Sequence, residues 1–518
     1  MISRFIAFVR RGLRPSRRDS LIVSAALTSA LIYVIAMHLI AGGAGFPLDD
    51  AWIHQTYARN LAQSGQFQYA PGVESAGSTS PLYTLLLTVG YILHIPYFAW
   101  TYLLGAAALA LAAFLGARLA DRLFPGQKRV GLWTAMAIGV SWHLVWAAAS
   151  GMETILFSAW SLVVIALAWR ESDAKLDTDG VRSGQGATFG LAGAILIAIR
   201  PEGVVLVGLL GLLVIVAQWK NRLPLVSWLL GAAVGGFVGL IPYALLNLHL
   251  NGTILPNTFS AKQAEHAPLL AQPFLVNLWA MLQPLTAGGE LLLIPGALFA
   301  CYHLAKRETK GAAALLLVTL LWPICLILLY TLRLPAYYEH GRYVIPALLP
   351  FLAIGVGGTV ELVAAMRRSR QLLPRLVGPS LAIATLLVFL IFWLNGALVF
   401  ASDVRSINSD MVVAAQWLAA NVPSDTLLAA HDIGAVGYFA PRPLLDLAGL
   451  VSPEVIPIIL DDNAKMALMQ QRGVRYLMVL PPQRPVPADD PRLCERFNAH
   501  GAMGGMTVYK LAWDGHCS

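Results

Sequence analysis

Long apolar runs recur along this chain near 20–41, 99–117, 131–149, 154–169, 187–199, 203–218, 226–246, 286–304, 311–332, 346–365 and 376–400. Nothing else constrains the fold as strongly. A backbone in hydrocarbon must satisfy its own hydrogen bonds, and consecutive spans do so as helices. Only 12% of the residues are charged, against about 25% in an ordinary soluble domain. A mean hydropathy of +0.66 over 518 residues is far above the soluble range. The expected architecture is an α-helical polytopic membrane protein with about eleven spans.

Charge orients it. Arg4, Arg10, Arg11, Arg14, Arg17 and Arg18 precede the first run, which keeps the N-terminus cytoplasmic by the positive-inside rule. The first run is too long for a signal-peptide core and reads as an uncleaved span. Later basic clusters (Arg118/Arg122/Lys128/Arg129, Arg170/Lys175/Arg182, Lys220/Arg222, Lys306/Arg307/Lys310 and Arg367/Arg368/Arg370/Arg375) fall in every second loop. They orient the chain and form no nucleic-acid-binding face.

The segment 81–93 is apolar but about 20 Å long as a helix, short of the ~30 Å hydrocarbon core. Outside the C-terminal region, a crossing there would leave 10 basic residues inside and 17 outside; a non-spanning segment gives 22 and 5. Charge decides for a juxtamembrane helix. The outer loops then receive FPLDDAWIH (46–54), SGMET (150–154), RPEG (200–203), LPNTFSAKQ (255–263) and YYEHGRY (337–343). The inner loops receive little but arginine and lysine.

The chain divides into a basic cytoplasmic tail (1–19), a transmembrane region (20–400, with a first outer loop at 42–98) and a more polar, proline-richer segment (401–518). The last reads as a small extracytoplasmic α/β domain, with strand-like runs at 426–430, 475–480 and 506–513 and helical spacing over 410–422. Cys494 and Cys517 share that outer compartment, where disulfides persist, and are candidates to pair; Cys301 and Cys325 lie in spans.

In the first outer loop, capping by Asp49 explains one carboxylate but not two, nor His54 one turn from Asp50 on the same face. Carboxylates at the hydrocarbon boundary are desolvated and suited to proton transfer. Glu153 opens a span, where the helix dipole favours an acid. Arg200 and Glu202 can pair across a turn. Lys262, Glu339, His340 and Arg342 read singly as interfacial anchors. The loop 71–81 reads first as a cap for the helix beginning at Pro81 and second as a source of donors to an anion. HDIG (431–434) matches a metal phosphohydrolase motif by chance, because the further histidines and aspartates that chemistry needs are missing.

Taken in order, LDDAWI…YARNLAQSGQFQYAPG…GSTSPLYTLLL, SGMET, RPEG and LPNTFSAK resemble the GT-C glycosyltransferases that use polyprenyl-phosphate sugar donors. The nearest likeness is to bacterial arabinofuranosyl- and mannosyltransferase-like members, with protein O-mannosyltransferases and aminoarabinose transferases more distant. HDIGAVGYF…PLLDLAGL extends the resemblance into the outer domain. It implies a plasma-membrane enzyme that transfers a sugar, with inversion, to an extracytoplasmic glycan, lipid or protein hydroxyl. Asp49 would be the general base, with Asp50 and Glu153 beside it in the catalytic set. Lys262 would meet the donor phosphate, and His54, Arg200, Glu202, His340 and Arg342 complete the expected binding set. Some relatives use Mg²⁺ or Mn²⁺, for which Asp49 and Glu153 are the candidate ligands, and others use no metal. A flippase would show inverted repeats and mid-membrane ionisable residues, and neither is visible. An inactive binding subunit is the other alternative.

Overall fold

The computed structural model describes residues 16–172, 183–220, 222–254, 256–305 and 310–517. Arg4, Arg10, Arg11, Arg14, Lys175, Arg182, Lys306 and Arg307 lie outside them.

The first span, Arg17–Ala41, starts where Ser16 and Asp19 form a capping box and stops at Gly42, whose φ of 75° takes the left-handed conformation that ends helices. Arg118 of the Tyr97–Leu123 helix holds Asp19 at 3.0 Å. Seven helices among the described residues are long and apolar enough to cross a membrane. Two bent pairs, Val130–Val140 with Trp142–Ala149 and Phe274–Thr286 with Gly289–Leu304, raise that to nine. The shorter apolar helices Ser183–Ile199 and Gly203–Ala217 occupy the remaining two of the eleven expected spans. The chain is a multi-pass membrane protein.

The two bent pairs meet at their breaks. The hydroxyl of Ser141, at the 57° bend, donates to Glu290 Oε1 at 2.6 Å, just past the 95° bend. Each break thus supplies a buried side-chain partner to the other, one way in which broken spans are tolerated in lipid.

Pro81–Ile92 is twelve residues, about 18 Å long, and too short to cross. It buries Tyr83 and Leu87 against the protein and leaves Leu85, Val89 and Ile92 exposed, as suits an interfacial helix.

The last span, Leu372–Ile407, does not stop near residue 400, where composition changes. It runs on through a π-helical turn, Asn408–Val412, into Val413–Asn421. Two short strands in the first outer loop, β1 (Gln68–Ala70) and β2 (Val73–Glu74), pair with each other. Beyond the last span, β3 (Leu428–Ala430), β4 (Leu444–Asp446), β5 (Tyr476–Val479), β6 (Leu493–Asn498) and β7 (Thr507–Leu511) form a five-stranded mixed sheet in the order β4-β3-β5-β7-β6. Three of these match the strand-like runs; β4 and β6 are additional. The buried carboxylate of Asp410, in the π turn, accepts from the amides of Met503, Gly505 and Met506, tying the span to the sheet. Cys494 and Cys517 form a disulfide, with Cα atoms 5.5 Å apart. Cys301 and Cys325 are free and half-buried.

Candidate active site

The sequence-picked residues converge at one end of the helix bundle, with two exceptions. The Asp50–Ser64 helix begins at the last residue of the LDD run. Its first turn aims Asp50 at two cations from distant parts of the chain. Arg342 Nη2 lies 2.6 Å and Lys262 Nζ 3.2 Å from the same oxygen, Oδ2. Tyr343 ties the cations together, its hydroxyl 3.2 Å from Lys262 and 3.0 Å from Arg342. Glu339 holds Arg342 from the other side, at 2.7 Å to Nε. That contact is built by a left-handed turn, since Glu339, His340 and Gly341 all have φ between 55° and 69°. For the two residues that are not glycine this conformation is strained.

Burial would raise the Asp50 pKa, but the charges of Lys262 and Arg342 prevail and hold its carboxyl well below the usual range. Burial likewise opposes charge on Lys262, and Asp50 reverses this, pushing its pKa up. Asp50 is therefore a carboxylate, and Lys262 an ammonium, at any physiological pH.

Asp50, Ile53, His54, Gly77, Thr79, Thr258, Lys262 and Leu450 line a narrow cleft of about 10 Å³. Thr258 precedes Lys262 by four residues on the Asn257–Glu265 helix and so shares its face. Its side-chain oxygen is buried without a hydrogen-bond partner. Buried hydroxyls are rarely left so, because the lost hydrogen bond costs roughly 1–3 kcal/mol. Nη1 of the buried Arg342 is likewise without a partner.

Behind the cleft runs a second polar chain. His54 Nδ1 lies 3.2 Å from Thr84 Oγ1 and 3.3 Å from Ser78 Oγ, and its Nε2 is 3.4 Å from Glu153 Oε2. Arg200 sits 3.6 Å from Glu153 and 2.8 Å from Glu202, and bonds to Tyr330 at 3.1 Å. Burial works against ionised Glu153, but His54 and Arg200 outweigh it and hold its pKa down near 2. The loop 71–81 supplies this site rather than a cap: Ser80, at the N-cap position, makes no capping bond, while Ser78 reaches His54.

Asp49, expected as the general base, is the first exception. Its side chain does not face the cleft. Oδ2 accepts from the Gly434 amide at 2.5 Å and Oδ1 from the Ala435 amide at 2.8 Å. Both oxygens cap the Gly434–Phe439 helix of the C-terminal domain. Burial and the charges of Asp432 and Asp50 push its pKa up, against the pull of those two amides. Each oxygen spends a lone pair on a backbone amide, and Asp49 is not among the residues that line the cleft.

His340 is the second. Its Nε2 meets Asp403 at 2.8 Å, and its ring lies between Trp142 and Trp146, at 5.2 and 5.1 Å. It faces the spans and not the cleft.

Asp49 and Glu153 also do not fit as ligands of one metal ion. One is committed to backbone amides and the other to Arg200, and among the described residues no group of three or more metal-binding side chains comes together.

Sequence reasoning passed over Tyr343, Thr258 and the HDIG loop. The first two stand inside motifs already singled out, YYEHGRY and LPNTFSAKQ, but their neighbours' charges drew the attention. HDIG was dismissed as a chance metal motif, yet its His431 pairs with Glu265 at 3.2 Å, one turn from Lys262.

Comparison with known proteins bears on the fold. Residues 402–511 match a family model described as a domain of unknown function, DUF8728. The search of curated proteins found no match. Among solved structures, the chain is similar to ArnT from Cupriavidus metallidurans bound to undecaprenyl phosphate, with a TM-score of 0.57 at 15% identity, covering 96% of this chain and 99% of that one. The apo form of ArnT gives 0.58 at 14% identity, over 97% and 100%. The arabinofuranosyltransferase AftD from Mycobacteria gives 0.52 at 15% identity, over 97% of this chain but 42% of its own length. At such identities the likeness speaks for the fold alone. The architecture is that of the GT-C class, as the motifs implied.

Proposed function

We propose that the chain is a membrane glycosyltransferase that takes a sugar from a polyprenyl-phosphate donor, with Asp50 as its general base. One observation carries this reading: on a GT-C fold, a carboxylate opens on a cleft beside Lys262, and the buried Arg342, from another distant segment, holds the same carboxylate oxygen. The cations suit a phosphodiester, and the unpartnered Arg342 Nη1 leaves one donor free for it.

Before the donor binds, Lys262 and Arg342 are occupied by Asp50. A donor phosphate competes for both, and as it takes them Asp50 loses the partners that suppress its basicity. Asp50 then accepts the proton of an acceptor hydroxyl as its oxygen attacks the anomeric carbon. The bond from that carbon to the phosphate oxygen breaks, and the polyprenyl phosphate leaves with the electron pair, its charge held by Lys262 and Arg342. Attack opposite the leaving group inverts the configuration. Thr258 offers its hydroxyl to the sugar ring. Glu153, His54, Arg200 and Glu202 keep the wall of the cleft rigid.

The basic loops favour a cytoplasmic N-terminus, with the site and the C-terminal domain on the extracytoplasmic side. The acceptor is a glycan, lipid or protein hydroxyl there.

The test is a transfer assay in membranes with a panel of radiolabelled polyprenyl-phosphate sugars. Transfer by the parent protein from at least one donor, abolished in Asp50→Asn, is expected. No transfer from any donor, or full activity in correctly inserted Asp50→Asn, would overturn the reading.

A further inference from the structure

Resting on that reading, we propose that the C-terminal domain braces the active site through its HDIG loop, with Asp49, Gly434 and His431 as positioning residues for Asp50 and Lys262. The loop's two ends grip the two elements that carry the site. At one end, the amides of Gly434 and Ala435 hold both oxygens of Asp49, the residue next to Asp50. At the other, His431 Nε2 meets Glu265 Oε1 at 3.2 Å, three residues beyond Lys262 on the same helix. The side chains being held, Asp50 and Lys262, stand 3.2 Å apart. A loop of four residues therefore sets the span across which the cleft's carboxylate and ammonium meet.

The approach is close enough to demand glycine. A Cβ at Gly434 would fall 1.9 Å from the Asp49 carbonyl oxygen, and one at Gly437 would fall 2.1 Å from the Tyr69 hydroxyl. Those contacts are with backbone and a fully buried ring, neither of which can swing away. The same face is fixed by Arg59, which donates to the carbonyls of Tyr438 at 2.5 Å and Gly437 at 3.2 Å. Tyr69 donates to the Ile433 carbonyl, and Trp52 packs on Tyr438 and Phe439 at ring distances of 5.0 and 4.7 Å. The domain also reaches the cleft itself through Leu450.

A domain that merely sits beside the bundle and one that braces it differ in a measurable way. Loss of folded protein lowers kcat and leaves KM unchanged in every variant alike. A brace with two ends splits the parameters. Gly434→Ala and Asp49→Ala act through Asp50 and should lower kcat about tenfold with donor KM within about twofold. His431→Ala releases the Lys262 helix and should raise donor KM about fivefold with kcat within about twofold. His431→Gln, which keeps a donor for Glu265, should recover most of that KM.

If Gly434→Ala fails to insert, the His431 pair still decides, since that side chain lies at the rim. A second readout needs no turnover: oxidative crosslinking of cysteines placed at positions 50 and 262 should slow in the Asp49→Ala and His431→Ala backgrounds. Unchanged kinetics, a uniform fall in kcat, or an unchanged crosslinking rate would overturn the brace. Failure of the parent protein to transfer any sugar, with crosslinking still dependent on Asp49 and His431, would instead overturn the glycosyltransferase reading alone.

Discussion

Asp49 and Asp50 are neighbours in the chain and opposites in chemistry. Asp50 opens on a cleft and shares one oxygen between Lys262 and Arg342. Asp49, one peptide earlier, turns the other way and gives both oxygens to backbone amides of the C-terminal domain. Charged side-chain partners can be competed away by a substrate phosphate and leave a base behind. Fixed amide dipoles cannot, so the second carboxylate serves attachment. Being acidic and near the membrane boundary is thus not enough for catalysis; what the carboxylate is paired with decides.

The sharpest way to break this comparison is to neutralise each member. Asp50→Asn should lower turnover about 10²–10⁴-fold without raising the donor KM, since the two cations then face the phosphate uncontested. Asp49→Asn keeps one acceptor but turns an N–H₂ toward the second amide, and the expected loss is about tenfold. A larger loss at Asp49 than at Asp50, measured in membranes with the same donor, would reverse the two roles.

Next come the cations. Lys262→Ala and Arg342→Ala should each raise donor KM by about tenfold or more, as loss of a charge-assisted hydrogen bond of roughly 1.5–3 kcal/mol implies. Donor affinity unchanged in both would move the phosphate elsewhere, with Arg200 the next candidate.

A smaller effect separates cleft from wall. Thr258→Val keeps the branched shape and removes only the unpartnered hydroxyl, so donor KM should rise by about three- to tenfold, the worth of one neutral hydrogen bond near 1 kcal/mol. Binding of polyprenyl phosphate without sugar should not change. Equal losses for both ligands would assign Thr258 to the phosphate.

The smallest effect is a pH dependence on the Asp49 side. Burial disfavours charge on His431, but its bonds to Asp432 and Glu265 outweigh this and raise its pKa to about 10. His266, 3.7 Å from Glu265, Gln483, bonded to Asp432, and the buried Asp446, whose carboxyl feels the His431 charge, also surround it. A folded pKa above the unfolded value of 6.5 means the stabilisation is complete below that pH and is lost as pH rises towards 10. Protection of the C-terminal domain from protease should fall over that window in the parent protein. In His431→Gln the fall should be smaller, because the imidazole's own contribution is gone.

Much of this protein was legible from the chain alone. Apolar runs fix the spans, because hydrocarbon admits no backbone without internal hydrogen bonds. Charge bias and length excluded 81–93 as a span, and the structure has a twelve-residue helix there. Asp50, His54, Glu153, Arg200, Glu202, Lys262 and Arg342 were all picked from polar residues stranded beside apolar runs. The strands β3, β5 and β7 followed from their strand-like runs, whereas β4 reads LLD and ends in a carboxylate, and β6 reads LCERFN with polar residues on an edge, so neither carries a strand signal.

Only the tertiary structure decided between the two aspartates. Capping, proton transfer and metal binding use the same side chain, and sequence cannot say which way it points. The direction depends on a residue 385 positions away: Gly434, which admits the Asp49 backbone because it has no Cβ and offers its buried amide to the Asp49 carboxylate. The same holds for HDIG, whose four letters fit a metal motif as well as a docking loop until Glu265 and Asp49 are placed on either side. Sequence fixes which groups a membrane protein keeps at its boundary, through the cost of burying them. Which groups face each other is set by the packing of distant segments.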